Sequence, residues 1–169
     1  MKPKLDVRVR PATPADWLVI AALLEANGLP LDGAQAHLET FWLAAAEDGE
    51  VLGVSGLEVY GKVGLLRSVA VRPTHHGQGV GTLLVAHALR AAADLELASV
   101  HLLTLNARDY FARLGFQLMQ IDDAPQALKA SAEFQGACPS SALFLSLDMA
   151  SLRKEGELDI PAMGNKVRV

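Results

Sequence analysis

Residues 65–82 read LLRSVAVRPTHHGQGVGT. An apolar, β-like run ends at Arg72-Pro73. Beyond it the hydrophobic period changes from two to near 3.6, with Val80, Leu84, Ala88 and Ala91 on one helical face and Leu83 and His87 beside it. Ala98 to Leu105 returns to strand character. A strand, a helix of about four turns and a second strand form a crossover, which predicts a right-handed unit with the two strands parallel. At its turn stand Gly77, Gly79 and Gly81, which let backbone N–H groups converge at the positive end of a helix dipole, an arrangement suited to phosphate oxygens. A flexible strand-to-helix turn would use the same glycines. A P-loop would need Lys ahead of Thr82, where Gly81 stands, and a dinucleotide fingerprint would space its glycines G-x-G-x-x-G in an N-terminal unit. Here they run G-x-G-x-G after several antiparallel strands.

Working outward, Asp6 to Arg10 alternates like a short strand. Thr13-Pro14-Ala15-Asp16 reads as a helix start, and Asn27-Gly28 as the stop of that helix. Leu31 to Thr40 is expected to be a second, weaker helix. Phe41 to Ala46, Val51 to Tyr60 and Val63 to Val71 form a meander, with Asp48-Gly49 and Gly61-Lys62 at its turns. On the other side, Asn106 to Leu114 is expected to be a short helix stopped by Gly115, Phe116 to Ile121 a strand, Asp123 to Phe134 a helix and Ser141 to Met149 the last strand. Residues 150–169 read as a polar tail, which leaves a domain over 1–149.

The chain has 169 residues, 51% hydrophobic and 20% charged, which fits one compact domain and excludes a disordered one. Its longest apolar run, Trp17 to Leu24, is eight residues, against about 20 for a membrane span. No secretory pattern follows Met1, so a cytoplasmic location is expected. Net charge −4 argues against nucleic acid as a partner, and the single cysteine, Cys138, allows neither an internal disulfide nor a multi-thiolate metal site. No metal is expected.

The segment His76-Gly77-Gln78-Gly79-Val80-Gly81, the order of elements around it and the ending Leu114-Gly115-Phe116 resemble motif A and its setting in the GNAT superfamily of N-acetyltransferases. Within it, Gly56 to Gly61, Leu65 to Val71, Leu102-Leu103-Thr104, Tyr110 to Phe116, Glu133-Phe134 and Cys138-Pro139-Ser140-Ser141 are similar to the arsenic-resistance and short amino-acid N-acetyltransferases. The resemblance implies an α/β (α+β) fold, a mixed, mostly antiparallel sheet of about six to seven strands flanked by about four to five helices. It implies acetyl-CoA as co-substrate. Val69, Ala70 and Val71 would pair with the pantetheine arm, and the loop from Gly77 through Gln78, Gly79, Val80 and Gly81 to Thr82 would hold the pyrophosphate. Asn106 would flank the thiol. His76 stands where the family has Arg or Gln, and a neutral imidazole offers fewer donors.

Direct attack of an amine on a thioester in a ternary complex needs a neutral amine, an oxyanion donor and a proton for the leaving thiolate. By family analogy a backbone N–H near Val71 serves the oxyanion. Many relatives protonate the thiolate with a tyrosine where this chain has Phe111; Tyr110 lies one residue earlier, about 100° round the helix. Glu58, a carboxylate in an apolar strand, is the candidate base, with an outward solvated glutamate as the alternative. Under strict alternation Arg67 shares a face with Val69 and Val71, from which it would bind an acidic group of the acceptor; it would otherwise partner Glu58 or Asp48. His87 and His101 read as structural and His75 as a solvated turn residue. The lone cysteine excludes capture of arsenite by several thiolates, so any arsenic would arrive in an amino-bearing substrate. The expected function is acetylation of a small amino acid or amino-acid-like toxin, by a chain that pairs into a homodimer like many relatives. A non-catalytic acyl-CoA sensor is the alternative, and a protein amine the less favoured acceptor.

Overall fold

The computed structural model describes residues 5–154 and 157–158. In chain order these form β1 (Val7–Pro11), α1 (Trp17–Ala26), β2 (Phe41–Ala46), β3 (Val51–Tyr60), β4 (Val63–Val71), α2 (Val80–Asp94), β5 (Ser99–Thr104), α3 (Arg108–Arg113), β6 (Gln117–Met119), β7 (Leu143–Asp148), and a ribbon of β8 (Arg153–Lys154) with β9 (Glu157–Leu158). The first seven strands make one sheet in the order β1-β2-β3-β4-β5-β7-β6. Every pairing is antiparallel except β4 with β5, the crossover expected around α2.

Helices cover both faces. Ile20, Leu23 and Leu24 of α1 pack on Phe41, Leu43, Val54 and Ala70. Val85, Ala88, Leu89 and Ala92 of α2 pack on the opposite face, against Leu57, Leu66, Val100 and Leu145. Close approach to α1's face depends on Gly56, where an added Cβ would lie 2.3 Å from the Phe41 ring. Asp16 fastens the start of α1 by accepting from the Thr13 N–H at 2.8 Å and from both terminal nitrogens of Arg10, at 2.9 and 2.8 Å.

Five expectations need correction. Leu31 to Thr40 is not an α-helix; only Gln35–Thr40 coils, as 3-10 turns kinked at His37. Asp123 to Phe134 resolves into the 3-10 segments Ile121–Asp123, Gln126–Ala130 and Ala132–Gln135. Ser131 has an extended backbone that interrupts the coil, and it caps the last turn by accepting from the Glu133 N–H at 3.2 Å. Strand β6 covers only Gln117–Met119, and α3 starts at Arg108, two residues after Asn106. The first residues of the expected tail join the core, since Leu152 is buried; the tail beyond residue 158 lies outside the described residues.

Strand β4 departs from regular geometry in two ways that make the site. Its pairing with β5 stops after Leu65 against His101, so the strands part and leave a gap. Its register against β3 passes from Gly56↔Arg67 to Val54↔Ala70, so Ser55 alone faces both Ser68 and Val69. The extra residue is Ser68, at φ +59°. This is a β-bulge, and it reverses the alternation of side chains on its two sides.

Candidate active site

At one end of the gap, the turn after β4 opens a cavity of about 330 Å³ lined by Val69, Val71, His76, Gly79, Gly81 and Thr82 among others. Gly77 has φ +76° and Gly79, the N-cap of α2, φ +84°. A Cβ at either would meet nothing within 4 Å, so backbone conformation rather than space requires glycine there. His76, Gly77, Gln78 and Gly79 are exposed, and Gln78 does not line the cavity. Val80 is buried in the core.

The strand beside this loop has a free edge. The Arg72 N–H donates to Leu52 O at 2.7 Å, toward β3, so by alternation Val71 turns its peptide groups into the gap. There Val71 O accepts from Asn27 Nδ2 at 3.1 Å and from His76 Nε2 at 2.7 Å, so this ring nitrogen carries a hydrogen. Ala70 has the opposite parity: its methyl packs against α1 and it pairs with Val54. Val69 and Val71 therefore face the cleft and Ala70 does not. Asn27 reads in the sequence only as a helix stop; nothing there signals its reach to β4, 44 residues on.

Where β4 and β5 have parted lies a second cavity, of about 230 Å³, lined by Arg67, Ser68, Asn106, Phe111, Glu133 and Cys138 among others. Val69 and Tyr110 line both cavities. Tyr110 Oη lies 2.9 Å from Thr82 Oγ1, and burial raises its pKa.

Beneath this cavity is a buried charge cluster. Glu58 is fully enclosed, which removes the solvated alternative, and it does not line the cavity. Its Oε2 accepts from Arg67 Nη1 at 2.9 Å and Ser131 Oγ at 3.1 Å; its Oε1 accepts from the Tyr60 hydroxyl and faces His37 Nε2 at 3.2 Å. Arg67 thus partners Glu58 rather than Asp48. Its Nε donates to Ser68 Oγ at 3.0 Å and its Nη2 to Pro30 O at 3.3 Å. The expectation that Arg67 shares a face with Val69 and Val71 is wrong because of the bulge. Arg67 lies on the α1 face with Glu58 and Ala70, while Val69 packs on the α2 side.

Glu133 was missed as a site residue. Its Oε1 stands 3.5 Å from Arg67 Nε, and only 6% of the residue is exposed. Burial pushes its pKa up to about 7, with Arg67 opposing and Glu58 reinforcing the rise. Burial and the neighbouring Glu133 push the Cys138 thiol up to about 12, so it stays protonated at neutral pH. In the sequence Glu133 stands out only within the Glu133-Phe134 pair that carries the family resemblance, with no role attached to its carboxylate. His101, held between Ser99 and Ser146 and stacked on Phe144, is structural; burial lowers its pKa to about 4. His87 packs edge-on against Trp42. His75 contacts Thr74 and lines the loop cavity. Among the described residues no three His, Cys, Asp or Glu side chains cluster as metal ligands, and no helix is long and apolar enough to cross a membrane.

A seven-stranded sheet split beside a glycine turn, with the two cavities meeting at the split, defines an acyl-CoA N-acyltransferase type of fold. The model of the Acetyltransferase (GNAT) family matches residues 12–116, and the chain belongs to that family. It is 39% identical over 97 residues to an amino-acid acetyltransferase of Mycobacterium tuberculosis, covering 56% of this chain and 53% of that protein. It is 29% identical over 128 residues to the amino-acid acetyltransferase of Neisseria meningitidis, covering 71% of this chain and 29% of the relative. The chain thus spans about half the length of the first relative and under a third of the second. Among solved structures, N-acetylglutamate synthase from Neisseria gonorrhoeae, complexed with coenzyme A and N-acetyl-glutamate, matches with TM-score 0.73 at 25% identity, covering 85% of this chain and 35% of that one. A Mycobacterium tuberculosis protein in complex with CoA matches with TM-score 0.69 at 25% identity, covering 83% of this chain and 98% of that one.

Proposed function

We propose that the chain is an acetyl-CoA-dependent N-acetyltransferase whose acceptor is a small amino acid or an amino-acid-like toxin. The observation that carries this is the pair of cavities with Val69 and Tyr110 as a common wall, one beside open backbone amides and one beside buried ionic side chains. The residues fit the co-substrate. The amides of the turn from Gly77 to Thr82 would hold the pyrophosphate, and the free edge at Val69 and Val71 the pantetheine arm. Acetyl-CoA supplies an electrophilic thioester when bound. Arg67 offers the acceptor a cation for a carboxylate, and Asn106 a polar group at the same cavity. Tyr110, hydrogen-bonded to Thr82 between the cavities, is the proton donor this reading assigns to the leaving sulfur.

An arsenic-bearing amino acid belongs to the same substrate class. The protonated Cys138 thiol would not ligate its arsenic, so such a substrate would be held through its amine and acidic group. The test is release of free CoA with acetyl-CoA and the standard L-amino acids, followed by phosphorus- and arsenic-bearing analogues. Turnover on at least one amine is expected. Tight CoA binding with no turnover on any amine would replace this reading with a non-catalytic acyl-CoA sensor.

A further inference from the structure

We propose that Glu133 is the general base, receiving the proton of the acceptor amine, and that Glu58 is the positioning residue that fixes the turn carrying it. The proposal rests on the acetyltransferase reading above. Two acidic side chains lie at the acceptor end, and their surroundings divide the roles. Glu58 faces four groups, from Tyr60, His37, Arg67 and Ser131, which leave no open site on its oxygens, and it is walled off from the cavity. Among the described residues Glu133 is the one carboxylate lining the cavity. Its nearest cation, Arg67 Nε, is at 3.5 Å and already donates to Ser68 at 3.0 Å, so it constrains Glu133 without consuming its lone pairs.

Ser131 couples the two carboxylates. Its hydroxyl donates to Glu58 Oε2 at 3.1 Å and accepts from the Glu133 N–H at 3.2 Å, so the buried Glu58 sets the position of the Glu133 turn. The groups facing Glu133 are Arg67 from β4, Glu58 from β3 and the protonated Cys138 from the loop that follows. Burial, reinforced by Glu58 and opposed by Arg67 and Cys138, leaves a carboxyl group that titrates near neutrality, where it can both accept and release a proton. The ammonium nitrogen gives one proton to Glu133 Oε and forms the C–N bond to the acyl carbon. The C–S bond breaks with its electron pair on sulfur, and the second proton leaving nitrogen ends on that sulfur. Glu133 then returns its proton to solvent.

The test is the pH profile of kcat/KM for CoA release by the full chain with acetyl-CoA and L-amino acids, in wild type, Glu133→Gln and Glu133→Asp, with CoA affinity measured alongside. Wild type is expected to lose activity about tenfold per pH unit below about 7, and Glu133→Gln about 100-fold or more at pH 7 with CoA affinity unchanged. That deficit should close toward pH 10, where the amine loses its proton unaided, and Glu133→Asp should keep the acid limb at a reduced rate. Glu133→Gln activity within about threefold of wild type at pH 7, or a deficit that high pH does not repair, overturns the assignment. Should Glu133→Gln fail to bind CoA, Glu133→Asp decides: a reduced rate supports the assignment, and a wild-type profile overturns it. Absence of turnover by wild type on every amine overturns the acetyltransferase reading itself, and this assignment with it.

Discussion

At the proposed donor end of the cleft, Gly77 and Gly79 present exposed main chain, whereas at the proposed acceptor end Glu58, Arg67 and Glu133 are almost wholly enclosed. The first end needs particular φ angles and few particular side chains, so a chain of net charge −4 can still offer phosphate oxygens a set of N–H donors. The second end holds two carboxylates around one guanidinium, and each depends on the others to be buried at all. A backbone site tolerates change in its side chains; a buried ionic site does not.

The largest test of that contrast is Arg67→Ala, which leaves Glu58 and Glu133 without their cation. It should destabilise the fold by about 3–5 kcal/mol, seen in urea unfolding, and abolish CoA release. A loss below about 1 kcal/mol would mean the cluster is not what holds the acceptor end.

Next come two opposed pH effects. Glu133 has a folded pKa raised to about 7 from 4.5, so its contribution is present below pH 4.5 and is lost as pH rises to about 7. His101 is depressed to about 4 from 6.5, so its contribution is present above pH 6.5 and is lost as pH falls to about 4. Asp16, held low by Arg10, stays ionised throughout this window. Glu133→Gln should therefore gain stability with rising pH from 4 to 6.5, and His101→Gln should lose it from 4.5 to 7, each by at most about 3 kcal/mol. Urea midpoints across pH measure both slopes, and identical slopes in the two variants would contradict these burial effects.

At the donor end the expected changes are smaller and local. Gly79→Ala puts a Cβ on a φ of +84°, at a cost of about 1 kcal/mol, and should weaken CoA binding about tenfold by calorimetry without altering the pH slopes. His76→Ala should matter least, about 0.5–1 kcal/mol of CoA binding, because Asn27 still donates to Val71 O. If His76→Ala proves the more damaging of the two, the imidazole rather than the turn carries the donor end.

The same contrast explains what the sequence disclosed. Local signals sufficed for the glycine turn, the crossover and the meander, because glycine spacing and hydrophobic period are properties of neighbouring residues. The family resemblance supplied the reading of that turn and of Val69 to Val71 as a co-substrate site. At the proposed acceptor end, Glu58 and Arg67 could be singled out as polar residues in apolar strands and their pairing stood as an alternative, but the facing of Arg67 relative to Val69 and Val71 could not be read. That facing depends on one inserted residue, Ser68, in a run whose composition looks evenly alternating. Glu133 was legible as part of the resemblance but not as a site residue, because its turn is held by a long-range bond from Ser131 to Glu58 and not by any helical period. The helices expected over 31–40 and 123–134 failed for a related reason: tertiary anchors, Leu38 and Leu128 in the core among them, overrode weak local preference.

The bulge at Ser68 also has an evolutionary reading. A strand with one supernumerary residue works as two short strands in tandem, each with its own inner face. On the function proposed above, the half that ends at Arg67 would meet the amine and the half from Val69 to Val71 the co-substrate, so a substitution in one half would leave the parity of the other unchanged on a single nine-residue strand.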